Sequence, residues 1–433
     1  MVITMEREKF NKYYVNHIPV NMDALITSQI RLAAKSSNNE NMYKSVKNIG
    51  RAEAAGDIEL FFNILKYCYC GYEYYNELID FDDLKKEAVS SLPETPTTKA
   101  VRDILYKTLS KHINDSHFGF IAGKNKTLSL GKLYRAYFTS LVVELKNGRY
   151  LVAKGNKTVK KGYEFTHEQI KDYLFETFPD KQGNKRYLVG VYTQTPVKQI
   201  VIGSFSLPAH LCRTDNYKKL NTPVKIEETE GIPIIHHSTY SNGGVKESFE
   251  SYKKTGVKYK DTKYLIWSIL SNGGGNSKFP ECFIDGLNNN AVWELDLAVI
   301  SNPVINESND NDSENKKSYS IFNIGKVDFS KSLYGGRLFV LQNKFVASSG
   351  EAAVMFGRNV KDVCFVGGAT MGCGQFGDIL TYRLPNTNIY FHMGYKVFNM
   401  EGFEEGKGFL PDYWIDSNNP VEEVAAFIKD DFE

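Results

Sequence analysis

The chain has 433 residues, with 53 lysines and arginines against 51 aspartates and glutamates, for a formal net charge of +2. This length allows two or three domains, and an apolar fraction of 42% with 24% charged residues allows a large core. The balanced charge excludes an extended basic surface, so nucleic acid is not an expected partner.

In chain order, residues 1–112 read as a mostly helical region. AEAAGDIELFFNILKYCYCGYEYYNEL places Ile58, Phe61, Phe62, Leu65 and Cys68 near the 3.6-residue period. LPETPTTKAVRDILYKTLSKH offers a proline-threonine entry, then Val101, Ile104, Leu105 and Leu109 on one face. A polar turn follows over 113–129, holding Asp115, Ser116 and His117. Residues 130–205 read as a strand-rich module. It starts with a hairpin turning at Asn147-Gly148, continues with a turn and helix over VKKGYEFTHEQIKDYLFETFP, and ends in the strands KRYLVGVYT and VKQIVIGSF.

From 206 to 433, nearly continuous apolar strands alternate with helices. IPIIHHSTY, KYLIWSIL, RLFVLQN and DVCFVGG are the strands, with VKESFESYKKTG and SSGEAAVMFGRN as helices. Buried apolar strands separated by helices predict a parallel α/β core. NPVINESNDNDSENKKSYS, at 302–320, is asparagine-rich and charged and reads as a mobile surface insertion.

The six cysteines (68, 70, 212, 282, 364 and 373) form no disulfide framework in so long a chain, and C-Y-C at 68–70 lacks metal or redox spacing. Neither a metal nor another cofactor is expected. No stretch of about 18 apolar residues is available to span a membrane. MVITMEREKF lacks the apolar run of a secretory leader, which favours a cytoplasmic expectation over export.

Three pieces could carry chemistry. In SNGGGNS, glycines after a buried strand can turn backbone amides into a crevice at the strand's carboxyl end, where they could stabilise an oxyanion. In DSHFGF, His117 sits in a polar turn with Asp115 and Ser116 beside it, and His236 and His237 are its main competitors. In FVASSGEAAVMFG, two serines stand at the first turn of a helix, where unpaired amides both invite a cap and favour negative charge. GCGQFG at 372–377 matches a dinucleotide fingerprint, but the residues after it read as a hairpin rather than the required helix.

In this order the pieces resemble the C-terminal processing peptidases and the tricorn core protease. The family shows a D-x-H turn, often a PDZ-like module, an N-G-G-G loop, T-A-S-S-A-E, V-G-x-x-T-x-G and G-x-x-P-D. Here these stand as DSH (115–117), the 130–205 module, NGGG (272–275), VASSGE (346–351), VGGATMG (366–372) and GFLPD (408–412). The resemblance spans residues 100 to 416. It implies an α/β fold with a ClpP/crotonase-like core of mixed sheet and helices, an N-terminal helical region and a degenerate PDZ-like module.

The resemblance also implies roles. The nucleophile stands three residues before the motif glutamate, which selects Ser348. Ser349 then lends its amide to the oxyanion hole, with Gly273 or Gly274 as second donor. The processing peptidases use a lysine about 25 residues past the serine, where this chain has Cys373. A neutral thiol cannot replace an amine as general base. The tricorn-like branch uses a Ser-His pair and a distant glutamate, which points to Ser116, His117 and Glu405, with Glu404 as the alternative. His117 would accept the Ser348 proton and return it to the leaving amine. Two further departures are Ser268-Ile269-Leu270 for the family's D-L-R, and Val346 for its threonine.

The expected function is a serine endopeptidase acting on peptides or unfolded protein C-termini. A catalytically inactive peptide-binding scaffold of the same fold is the alternative, and an esterase or amidase using the same residues is a third reading. The expected partner is a peptide or protein substrate.

Overall fold

The computed structural model describes residues 7–15, 22–35, 44–124, 126–241, 248–308 and 319–432. The chain folds as two compact units, one of residues 1–132, 295–324 and 373–406, the other of residues 133–294, 325–372 and 407–433.

The first unit is built on a six-stranded antiparallel sheet. Its order is Tyr319–Ile324, Leu295–Ile300, Tyr390–Met400, Gly119–Gly123 and Lys126–Ser129, with Phe376–Arg383 also paired to Tyr390–Met400. The amphipathic helix Arg51–Cys68 buries Ile58, Phe61, Phe62, Leu65 and Cys68, as its spacing predicts. Phe61 packs its ring 4.8 Å from Phe391 and 5.6 Å from Phe120, which seats the helix on the sheet. Asp57, on the same helix, is buried and accepts hydrogen bonds from the backbone and side chains of Asn386 and Thr387, so one carboxylate holds the turn before Tyr390. The helix Thr98–Ser110 starts at a Thr97 cap and buries Val101, Leu105 and Leu109. It delivers the chain to the turn bearing His117.

The described ends of the 302–320 stretch, 302–308 and 319–320, differ from the expected surface insertion. Pro303–Ser308 is helical with Val304 and Ile305 buried, and Tyr319 opens a strand of the sheet. Asn302 anchors this start by donating to the Tyr67 carbonyl while accepting from the amides of Val304 and Ile305. Two apolar residues after such a cap suffice to bury a helix turn inside a polar sequence. Residues 309–318 lie outside the described residues.

The second unit holds the parallel sheet. Ile232–His237, Tyr264–Ser268, Arg337–Gln342, Val363–Gly367 and Tyr413–Trp414 run parallel in that order, with Val224–Thr229 antiparallel at the edge. Register places Ile266 beside both Ile234 and Phe339, and Phe339 beside Cys364, giving a continuous apolar layer. The helices Phe249–Tyr259, Lys278–Asn288, Ser349–Gly357 and Pro420–Phe432 belong to the same unit. The mixed helix and sheet architecture is of the α/β kind.

A separate antiparallel sheet in this unit has the order Glu164–Phe165, Arg149–Lys154, Arg135–Lys146, Arg186–Thr193 and Leu174–Thr177, with His210–Leu211 on the central strand. Asn147 and Gly148 both take positive φ (48° and 76°) at the expected hairpin turn. The helix expected after residue 166 lasts one turn, His167–Ile170, and a 3-10 turn leads into the strand Leu174–Thr177. Pairing of Leu174 and Phe175 with Val189 and Leu188 overrides helical propensity there.

Candidate active site

The candidate residues divide between the two units. In the parallel sheet, the adjacent strands Tyr264–Ser268, Arg337–Gln342 and Val363–Gly367 end in the glycine loop, the serine turn and the VGGATMG segment respectively. Open α/β sheets place ligand sites at such carboxyl ends.

Ser348 joins its strand to the helix Ser349–Gly357 with φ 54° and ψ −122°. A helix-capping serine normally takes extended backbone. This positive φ instead matches the strained strand-to-helix turn that presents a nucleophilic serine. From Val346 to Gly357 every residue is buried except Ser348. Its N–H donates to Glu351 Oε2 (3.2 Å), while Glu351 Oε1 accepts from Thr370 Oγ1 and from the Gly372 amide, both at 2.7 Å. The fully buried Glu351 therefore secures the turn.

The two serine hydroxyls are used differently. Ser349 Oγ donates to the Gly275 carbonyl (2.8 Å) and accepts from Ser277 Oγ (2.9 Å). It is a buried structural link between the turn and the glycine loop, and Ser348 holds the partly exposed position.

The loop is organised by Asn272, which is fully buried. Its Nδ2 donates to the His237 carbonyl (2.9 Å), its Oδ1 accepts from the Gly274 amide (3.0 Å), and its own carbonyl accepts from Ala347 N–H (3.0 Å). Gly274 has φ 98°, and a Cβ there would stand 2.7 Å from the Ala347 carbonyl and 2.9 Å from Ser348 Cβ. Gly273 is exposed, with nothing near its would-be Cβ. Among the described residues, the N–H groups of Gly273 and Ser349 have no acceptor, whereas that of Gly274 is engaged.

In the first unit, Asp115 is buried and shapes the histidine turn. Oδ1 accepts from the backbone amides of His117 (2.8 Å) and Phe118 (3.1 Å), and Oδ2 accepts from Tyr69 Oη (2.9 Å). Burial pushes its carboxyl above the usual carboxylate range, against these hydrogen bonds. Glu405 meets the same turn through backbone. Oε1 accepts from Ser116 N–H (2.9 Å), and Oε2 from the amides of Gln375 (3.0 Å) and Gly374 (3.3 Å). The Glu405 carboxylate is buried, whereas Glu404 is partly exposed.

Cys373 Sγ lies 3.4 Å from Nδ1 and 3.6 Å from Nε2 of His117. A sulfur nearly equidistant from both nitrogens would collide with Cε1 if it lay in the ring plane. The thiol therefore sits over the imidazole face, a favourable contact for polarisable sulfur, and leaves the in-plane directions of both nitrogens clear of it. Burial lowers the His117 pKa below the usual imidazole range, while the Phe376 carbonyl and Asp378 act in the opposite sense. The ring is thus held toward its neutral, proton-accepting form.

The two competing histidines, His236 and His237, have structural partners. His236 is buried with Nε2 at 2.8 Å from Glu227 Oε1, and His237 Nδ1 accepts from Trp267 Nε1–H at 3.0 Å. Burial brings His237 down to about 3. Ser268, Ile269 and Leu270 are all buried, as is Val346. Sequence reasoning left out the parts played by Glu351 and Asn272. The Ser-x-x-Glu spacing at 348–351 carries the signal for the first, since it is that of a reciprocal helix cap; the second has no local signal.

Comparison of the sequence with protein-family profiles and with curated proteins finds no match. Among solved structures, the chain is similar to a putative peptidase from Parabacteroides merdae ATCC 43184, at 13% identity and a TM-score of 0.49, covering 88% of this chain and 97% of that one. It is similar to mature CPAF at 13% identity and a TM-score of 0.49, covering 88% and 99%. It is also similar to the tricorn protease at 13% identity and a TM-score of 0.42, covering 88% of this chain and 36% of that one. Peptidases of the group that the sequence motifs resemble are thus among the structures to which this chain is similar.

Proposed function

We propose that the chain is a serine endopeptidase that cleaves peptides or unfolded protein C-termini, with Ser348 as nucleophile and His117 as general base. The observation that carries this reading is the Ser348 turn, a non-glycine residue at φ 54° standing partly exposed above a wholly buried helix. Ser348 Oγ attacks the scissile carbonyl as His117 takes its proton, and His117 returns that proton to the leaving amine. The amides of Gly273 and Ser349 receive the oxyanion, because the Gly274 amide is already bonded to Asn272. Glu405 and Ser116 orient the turn that carries His117, and water then releases the acyl group from Ser348.

The parallel sheet with its helices is read as a ClpP/crotonase-like core, and residues 130–205 as a degenerate PDZ-like module that delivers the peptide. Labelling by a fluorophosphonate, followed by mass spectrometry, tests the assignment. Wild-type chain and Ser349→Ala take the label at residue 348, and Ser348→Ala takes none. A chain that binds peptides but is never labelled is the inactive scaffold; label lost in Ser349→Ala but retained in Ser348→Ala moves the nucleophile by one residue.

A further inference from the structure

Lys344 lies four residues before Ser348 and is 2% exposed. Its Nζ donates to the carbonyl oxygens of Thr370 (2.8 Å) and Met371 (2.9 Å), and its third N–H faces Tyr192 Oη (3.2 Å) and the Lys407 carbonyl (3.3 Å) together. Burial of an ammonium is costly unless hydrogen bonds replace its water, and these oxygens supply that replacement. The group points its N–H bonds at carbonyls and so has no lone pair for a serine proton; the mechanism above makes no use of it.

The segment it grips is the one that Glu351 grips from the other flank of Ser348. Thr370 and Gly372 are bonded to Glu351, and the Met371 amide donates to the Val346 carbonyl (2.8 Å). Residues 370–372 are therefore fastened to positions 344, 346 and 351, which bracket the serine. A non-glycine residue at positive φ persists only where its surroundings restrain it. The backbone of Lys344 is itself tied down, its N–H donating to Asp215 Oδ1 (3.0 Å).

We propose that Lys344 is a positioning residue for Ser348: a buried cation that clamps residues 370–372 against the serine turn and so keeps the nucleophile in its reactive conformation. The proposal rests on the reading of Ser348 as nucleophile, and two measurements separate the two claims. Lys344→Met preserves side-chain length and removes the charge and donors. It is expected to speed amide hydrogen exchange over 369–373 and to slow fluorophosphonate labelling of Ser348 by about 10- to 100-fold, the scale of a slight misplacement of a reacting group.

Lys344→Arg keeps charge and donors and is expected to fall between wild type and Lys344→Met in both measurements, and it carries the test alone if the methionine variant does not fold. Unchanged exchange over 369–373 overturns the clamp. Faster exchange with unchanged labelling overturns the positioning role, because loss of a merely structural tie would leave Ser348 reactivity where it was. A wild-type chain that takes no label overturns the peptidase reading, and the exchange measurement then still decides whether the clamp exists.

Discussion

Replacing Gly274 by alanine puts a methyl group into the backbone that supports the serine. The new Cβ would lie 2.7 Å from the Ala347 carbonyl, 2.9 Å from Ser348 Cβ and 3.0 Å from Ser349 N. None of these is the tip of a flexible side chain, so the turn itself must shift. The φ of 98° adds strain of about 1–3 kcal/mol for a non-glycine residue. Overpacking of this kind costs about 1–3 kcal/mol more. Gly274→Ala should therefore lose roughly 2–6 kcal/mol in chemical denaturation and slow fluorophosphonate labelling of Ser348 at least about tenfold. Gly273→Ala is the control. Its Cβ meets nothing within 4 Å and its N–H is retained, so stability should stay within about 0.5 kcal/mol and labelling should continue. If Gly274→Ala labels at the wild-type rate, or the two variants behave alike, the glycine loop does not support the serine turn as described.

Because burial depresses the His117 pKa, its neutral form should persist to below the ordinary imidazole value of about 6.5. The acid limb of the kcat/KM profile should then have its midpoint under that value, and His117→Ala should lose several orders of magnitude in turnover; an acid limb above 6.5 would contradict the assignment. Glu405→Gln exchanges one carboxylate oxygen for an amide that faces N–H donors of Ser116, Gly374 or Gln375. A loss of about 2–4 kcal/mol in thermal or chemical denaturation is expected, the scale of one or two hydrogen bonds to a charged acceptor.

Much of the architecture is legible in the sequence because local burial shows in local composition. The apolar runs KYLIWSIL, RLFVLQN and DVCFVGG are strands buried within a parallel sheet, and the spacing of Ile58, Phe61, Leu65 and Cys68 marks a helix face on an antiparallel one. Pairing between distant segments leaves no such mark. Leu295–Ile300 lies between Tyr319–Ile324 and Tyr390–Met400, and the first unit is assembled from three separate stretches of chain. The one-turn helix at His167–Ile170 shows propensity losing to strand pairing in the same way.

By itself, the sequence determined that a small-residue turn with two serines leads from an apolar strand into an apolar helix, and that a glycine run and a histidine turn accompany it. Only tertiary structure decided how the polar groups are spent. Ser349 hydroxyl goes to Gly275 and Ser277, the Gly274 amide to Asn272, Glu405 to the Ser116 amide, and Cys373 to the face of His117. The reason is geometric: a hydrogen bond reaches about 3 Å and depends on direction. Identical residues side by side in sequence acquire different chemistry from whichever distant atoms the fold brings within that reach.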